Sequence, residues 1–249
     1  MSPIASYALR LGDDALILGQ RLGEWTGHAP SLELDLALAN FALDLIGQAN
    51  FLLNFAGEAQ GQGQDGDWLA FHRDVFDFTN CLMVEQPNGD FARTMARQML
   101  FSTFQNAFYE ALSGLTASPL APLAQKAKKE TAYHARFAQE WVIRLGDGTA
   151  ESAARMQAGL EWHWRFIDEL FEMDGLEQEV CAAGQGVDRA ALRPAFDARI
   201  QEVLAQSKLS APSAHRPVLG GRRGRHSEHL GHLLAQMQFL PRAYPGAVW

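Results

Sequence analysis

The chain has 249 residues, 47% of them hydrophobic and 20% charged, the balance of an ordinary globular protein of one large or two small domains. A formal charge of -8 argues against nucleic-acid binding, which favours a basic surface. Cys81 and Cys181 lie far apart in no metal or redox motif, so both are expected as small core residues in a reduced setting. The start, MSPIASYALRLGDD, lacks the basic head and apolar run of a signal peptide. No uninterrupted apolar stretch reaches the roughly 18 residues of a membrane span. A soluble cytoplasmic protein without membrane or nucleic-acid partners is expected.

Helical spacing starts at once: Leu11, Leu18 and Leu22, flanked by Ala8 and Ala15, predict a helix over residues 5–25. Gly27 to Pro30 breaks it, because the residue before a proline is driven out of helical geometry. Ser31 is placed to cap a second helix over 32–59, with Glu33 and Asp35 favouring its positive end. From Leu34 to Leu53 this helix is apolar almost all the way round, the pattern of a helix in the middle of a bundle. Asn40, Asp44 and Gln48 form one thin polar line along it. A buried carboxylate is costly unless paired, hydrogen-bonded or bound to metal, so Asp44 demands a role.

The polar run GQGQDGD ends this helix, and Trp68 to Phe78 reads as a further helical piece. After the Pro87-Asn88-Gly89 turn, Asp90 is placed to cap a helix over 91–115 with a bulky face of Met95, Met99, Phe104 and Phe108. A fourth long helix is expected over 123–145, offering Glu130, Tyr133 and His134, and Thr149 caps a helix to Met173. Residues 174–190 read as a connector, and residues 190–249 as a C-terminal extension of helix, irregular segment and last helix. The reading is all-α, one domain over residues 1–249, a four-helix bundle core with additional helices.

Two inward polar sets on core helices suggest a bundle metal site, or the remains of one. Di-iron carboxylate bundles use single carboxylates on two helices and Glu-x-x-His on two others, which puts both ligands on one face. None of the eight histidines has an acidic residue three positions before it, and Phe91 to Tyr109 contains no Asp, Glu or His. Where Glu-x-x-His would stand, the chain offers Asp44 with Gly47 and Glu130 with Tyr133. The bundle pattern survives while the ligand set is degenerate.

The segments RLGDDALILGQRLGEWTGHAP, LALANFALDLIGQA, LMVEQPNGDFA, KKETAYHARFAQEWVIRLGDGT and GGRRGRHSEHLG, in that order, resemble the C subunits of bacterial phenylacetyl-CoA epoxidases over essentially the whole chain. The resemblance implies a ferritin-like fold with no working metal centre. It also implies a related catalytic di-iron subunit as partner, with a reductase subunit and phenylacetyl-CoA reached through the complex. The activity implied is oxygen- and NADPH-dependent ring epoxidation in aerobic phenylacetate catabolism. This chain would be a structural, non-catalytic subunit, holding no cofactor, with Asp44, Glu130, Tyr133 and His134 hydrogen-bonded to one another in place of metal.

Two rival classes stand beside that one. A free-standing metal-dependent oxidoreductase would use a reduced site at Asp44, Glu130 and His134, and a carrier would bind acyl-CoA without a partner. Asp77, Phe78, Thr79 and Asn80 form a polar-aromatic stretch that could touch acyl-CoA. Arg222, Arg223 and Arg225, in a glycine-flanked basic loop, are expected as charged rim contacts for a partner. His226, Glu228, His229 and His232 crowd the start of the last helix; a zinc site is conceivable there, but an amphipathic helix capped by Ser227 is the simpler account. The tryptophans Trp25, Trp68, Trp162, Trp164 and Trp249 exceed what one bundle interior takes, which suggests an obligate interface.

Overall fold

The computed structural model describes residues 2–213 and 215–247; Trp249 lies outside them. In chain order the helices are α1 Pro3–Gly23, α2 Leu32–Gln60, α3 Gly66–Phe71, α4 Leu82–Glu85, α5 Phe91–Ser113, α6 Ala121–Gly146, α7 Ala150–Trp164, α8 Ile167–Leu170, α9 Gly175–Ala182, α10 Arg193–Ser207, α11 Glu228–Met237 and α12 Phe239–Ala243. Short 3-10 turns stand at Val75–Asp77, Ala190–Leu192 and Gly221–Arg223. No strand occurs among the described residues, so the all-α reading holds. The four long helices, α1, α2, α5 and α6, agree with the expected ranges to within two residues at every end.

The packing divides the chain into two compact units, one of residues 1–87 and 220–249, the other of 88–219. In the first, α1 runs antiparallel to α2, because Gly12 meets Leu52 and Leu53 while Gly19 meets Ile46 and the carbonyl of Ala42. A side chain at Gly12 would press a methyl carbon to 2.8 Å from Leu53, so the glycine sets how closely the helices approach. Gly61, at φ 68°, ends α2 in the left-handed conformation that a glycine adopts without steric cost. Ser31 does occupy the N-cap position of α2, but its side chain makes no capping bond.

The second unit is built on the antiparallel pair α5 and α6, where Gln139 donates to Thr103 at 3.0 Å and Asn106 donates to the carbonyl of Lys128 at 3.0 Å. Asp90 caps α5 by accepting from the amide of Arg93 at 2.9 Å. Thr149 caps α7 by accepting from Ser152 at 3.1 Å. Every residue of α5 from Thr94 to Gln105 is buried. Gly159 lets α7 close on α5, since a Cβ there would stand 2.9 Å from the Arg93 Cα. The helix expected from Thr149 to Met173 is broken after Trp164, and the expected connector 174–190 contains α9, capped by Asp174 at 3.1 Å. Cys81 is buried as expected, but Cys181 is only half-buried.

The all-round burial expected of α2 is found instead in α5. One face of α2 is buried and the other carries Leu32, Leu36, Leu43 and Phe51 into solvent. Taken by length and composition alone, α2 is also apolar enough to cross a membrane, although Asn40, Asp44 and Gln48 interrupt its apolar run and one face is buried.

Candidate functional site

The residues expected to replace a metal site are spread over both units. On α2, Asp44 is half-buried, Gly47 and Asn40 are exposed, and only Gln48 of the polar line is buried. The costly interior carboxylate is therefore not what Asp44 is. On α6, Glu130 pairs with Lys126 one turn earlier at 3.3 Å. Tyr133 is 44% exposed rather than interior, with the Arg136 guanidinium 5.5 Å from its ring. His134 alone of this set is fully buried. Among the described residues no three His, Cys, Asp or Glu side chains gather closely enough to hold a metal ion.

The first unit holds instead a buried polar network that fastens the C-terminal segment to α1. Asp13 and Asp14, adjacent on α1, are both buried. Asp13 accepts from Arg73 through both its oxygens, and from the amide and hydroxyl of Thr79 at 2.9 and 3.0 Å. Asp14 takes both terminal nitrogens of Arg222 at 3.0 and 2.7 Å and the amide of Cys81 at 2.7 Å. Glu85, at the end of α4, accepts from Asn80 at 2.9 Å and from the amide and hydroxyl of Ser227 at 2.7 and 2.8 Å. Three carboxylates removed from water are tolerable because each is paired and saturated with donors.

His226 completes the network. Its Nδ1 stands 2.7 Å from Glu85 Oε2 and its Nε2 2.8 Å from the carbonyl of Phe78. With Glu85 ionised, both partners are pure acceptors, so both ring nitrogens carry hydrogen and the ring is an imidazolium. Burial alone would lower its pKa, but the hydrogen bond and charge of Glu85, the Phe78 carbonyl and the Asp13 charge outweigh it and hold the pKa above the ordinary value. A ring so engaged has no lone pair for zinc. Of its expected companions, Glu228 and His232 are exposed and His229 is half-buried.

These contacts correct two sequence expectations. Arg222 is no rim contact: it is 5% exposed and locked onto Asp14, while Arg223 and Arg225 are at the surface. Gly221 is needed beside it, because a side chain there would collide with the backbone carbonyl of Asn80. In the stretch expected to touch acyl-CoA, Phe78 is fully buried under the Arg73 guanidinium, 4.2 Å away, and Asn80 is fully buried on Glu85. Thr79 is tied to Asp13, and Asp77, though exposed, accepts from the amide of Asp74 at 3.1 Å to cap its own turn. The signal missed in the sequence was the Asp13-Asp14 pair, an acidic doublet within the buried part of α1 that also carries Arg10 and Arg21.

What the first unit offers outward is the second face of α2. Leu32 is 71% exposed, Leu36 57%, Leu43 69% and Phe51 42%. Spacings of four, seven and eight residues place them on one stripe, interleaved with exposed Asn40, Gly47 and Asn50. The helix has no Lys or Arg, and its charges are the acidic Glu33, Asp35, Asp44 and Glu58. Helices that lie on lipid carry Lys and Arg on their polar face. Large apolar side chains mixed with amides and lacking basic residues match the core of a protein interface.

The family model described as phenylacetic acid catabolic protein, a ferritin-like family, matches residues 1–249. The chain is 46% identical over 249 residues, covering 100% of both sequences, to the Escherichia coli (strain K12) protein described as the C subunit of 1,2-phenylacetyl-CoA epoxidase. The chain belongs to the phenylacetic acid catabolic protein family.

Proposed function

We propose that this chain is the structural, non-catalytic subunit of a cytoplasmic multi-subunit phenylacetyl-CoA epoxidase. In this reading it holds and shapes a related di-iron subunit, and reaches the reductase and phenylacetyl-CoA only through that partner. The observation that carries the reading is the exposed stripe on α2. A bundle protein would expose Leu36 and Leu43 on its most apolar helix at a cost in solubility, unless another protein covers them. The relative's description as one subunit of an epoxidase supports a partner from the same enzyme. The degenerate positions at Asp44, Gly47, Glu130 and Tyr133 support a chain that contributes shape rather than redox chemistry.

The division of labour follows physically. The Asp14–Arg222 pair holds the C-terminal segment on α1 and the Glu85–His226 pair holds it on α4, while close approach at Gly12 and Gly19 seats α2 on α1. A rigid α2 presents its stripe without the entropy loss that ordering on binding would add. The test is co-expression of this chain with the di-iron subunit of the same enzyme, followed by size-exclusion chromatography with light scattering. A stoichiometric heteromer is expected. A chain that remains a stable monomer beside that subunit, or that pairs only with its own copies, contradicts the proposal.

A further inference from the structure

The second unit has a feature that the subunit role does not use. A cavity of about 330 Å³ opens beside the start of α5, walled by Gly89, Asp90, Arg93, Arg155, Gly159 and Trp162. The Arg93 guanidinium lies 3.9 Å from the Trp162 ring centre, and its Nε and Nη2 are buried without a hydrogen-bond partner. Arg165 stands 5.2 Å from the same ring. Arg155 reaches Asp90 at only 3.6 Å, with Glu151 as its closer partner at 2.6 Å. Positive charge is in excess: Arg93, Arg155 and Arg165 meet two carboxylates, Asp90 and Glu151, in a chain whose net charge is -8.

A buried probe of the field stands nearby on α7. His163 is fully buried, and neither ring nitrogen makes a well-formed hydrogen bond. Burial first, then the charges of Arg97, Arg93 and Arg165, hold its pKa well below the ordinary value, against a smaller opposing pull from the Arg93 backbone. The ring is thus neutral and adds no positive charge of its own to a region that the guanidinium groups dominate. Glycine at two positions makes the pocket possible. At Gly89, φ 62°, a Cβ would meet the Arg93 side chain at 2.6 Å, and Gly159 leaves the α7 side low. The helix start itself is not the anchor, because Asp90 already caps the Arg93 amide.

We propose that this cavity is a binding site for the phosphate group of a small molecule, held by the guanidinium groups of Arg93 and Arg155 with Trp162 as the apolar wall. Guanidinium forks match phosphate oxygens in pairs, and a ring behind a cation keeps it oriented. The cavity lies within the usual range for small-molecule sites and admits a phosphate with a sugar-sized group attached. The phosphate can come from an inorganic ion or from a nucleotide-like ligand. The proposal is independent of the subunit assignment, since it concerns this chain alone.

Isothermal titration of the full chain with inorganic pyrophosphate and with adenosine monophosphate tests it. Saturable binding of at least one probe is expected, weakening as salt rises; which one binds identifies the source. Arg155 is 57% exposed, so Arg155→Ala leaves the fold intact and should weaken that binding by about tenfold, the loss of one charge-assisted contact. Arg93→Gln should abolish it, with circular dichroism confirming the fold. Absence of saturable binding by both probes overturns the proposal, as does binding that Arg155→Ala leaves unchanged.

Discussion

Replacing Leu36 and Leu43 by Ser separates the stability of this chain from its capacity to assemble. The two side chains are 57% and 69% exposed in the chain by itself, so they add little to its own folding. Burying a whole leucine side chain is worth about 1.5–3 kcal/mol, so covering the exposed parts of both should yield roughly 2–4 kcal/mol. Each 1.4 kcal/mol is a factor of ten, so the double variant should bind its partner subunit roughly 30- to 700-fold more weakly. Serine in an exposed helix costs about 0.5 kcal/mol relative to leucine, which lowers the melting temperature of a chain this size by only about 2–4 °C for the pair. Surface plasmon resonance against the immobilised di-iron subunit reads the first number and differential scanning calorimetry the second. Undiminished association in a folded variant would refute the reasoning that the α2 stripe is the covered face.

Three further outcomes follow from the polar clamp and the histidines. Arg222→Met should destabilise by about 3–5 kcal/mol in chemical denaturation, because Asp14 then remains buried with the Cys81 amide but without its guanidinium; a change near zero would show that the pair is not desolvated. Gly221→Ala should lower the denaturation midpoint through collision with the Asn80 backbone, while Gly27→Ala, in open space, should act only through its positive φ and cost less. Stability should peak near pH 6.5, the ordinary histidine value: His226, raised, loses its contribution as pH climbs through its folded pKa, and His163, lowered, loses its own as pH falls below 6.5. His226→Gln should flatten the alkaline limb and leave the acid limb, and equal effects on both limbs would contradict the assignment.

The long helices were legible because their ends carry local chemistry. Asp90 and Thr149 cap the helices that follow them, and Gly61 stops α2, each through contacts within a few residues. The clamp was not legible, because Arg222 and Asp14 meet across 208 positions and an arginine-rich loop has the composition of a solvated surface. The Trp68 to Phe78 helix failed for the same kind of reason. Arg73 turns inward to Asp13, and the chain leaves helical geometry there to resume as a 3-10 turn at Val75. The role of α2 was misjudged because composition measures how apolar a helix is, not whether its own chain or another covers it. Of its polar line only Gln48 turns inward, while α5, with a modest apolar content, is the helix buried all round from Thr94 to Gln105. Trp25, Trp68, Trp162 and Trp164 are all half-buried, whereas Leu32, Leu36, Leu43 and Phe51 are the large apolar side chains that α2 exposes.

The claim that this chain shapes an oxygenase without performing its chemistry is tested most directly by metal analysis of the assembled heteromer, repeated on each subunit after separation. Iron is expected to follow the partner subunit and to be absent from this chain after expression alone in iron-rich medium. About two irons per molecule of this chain, the complement of a two-metal site, would contradict it.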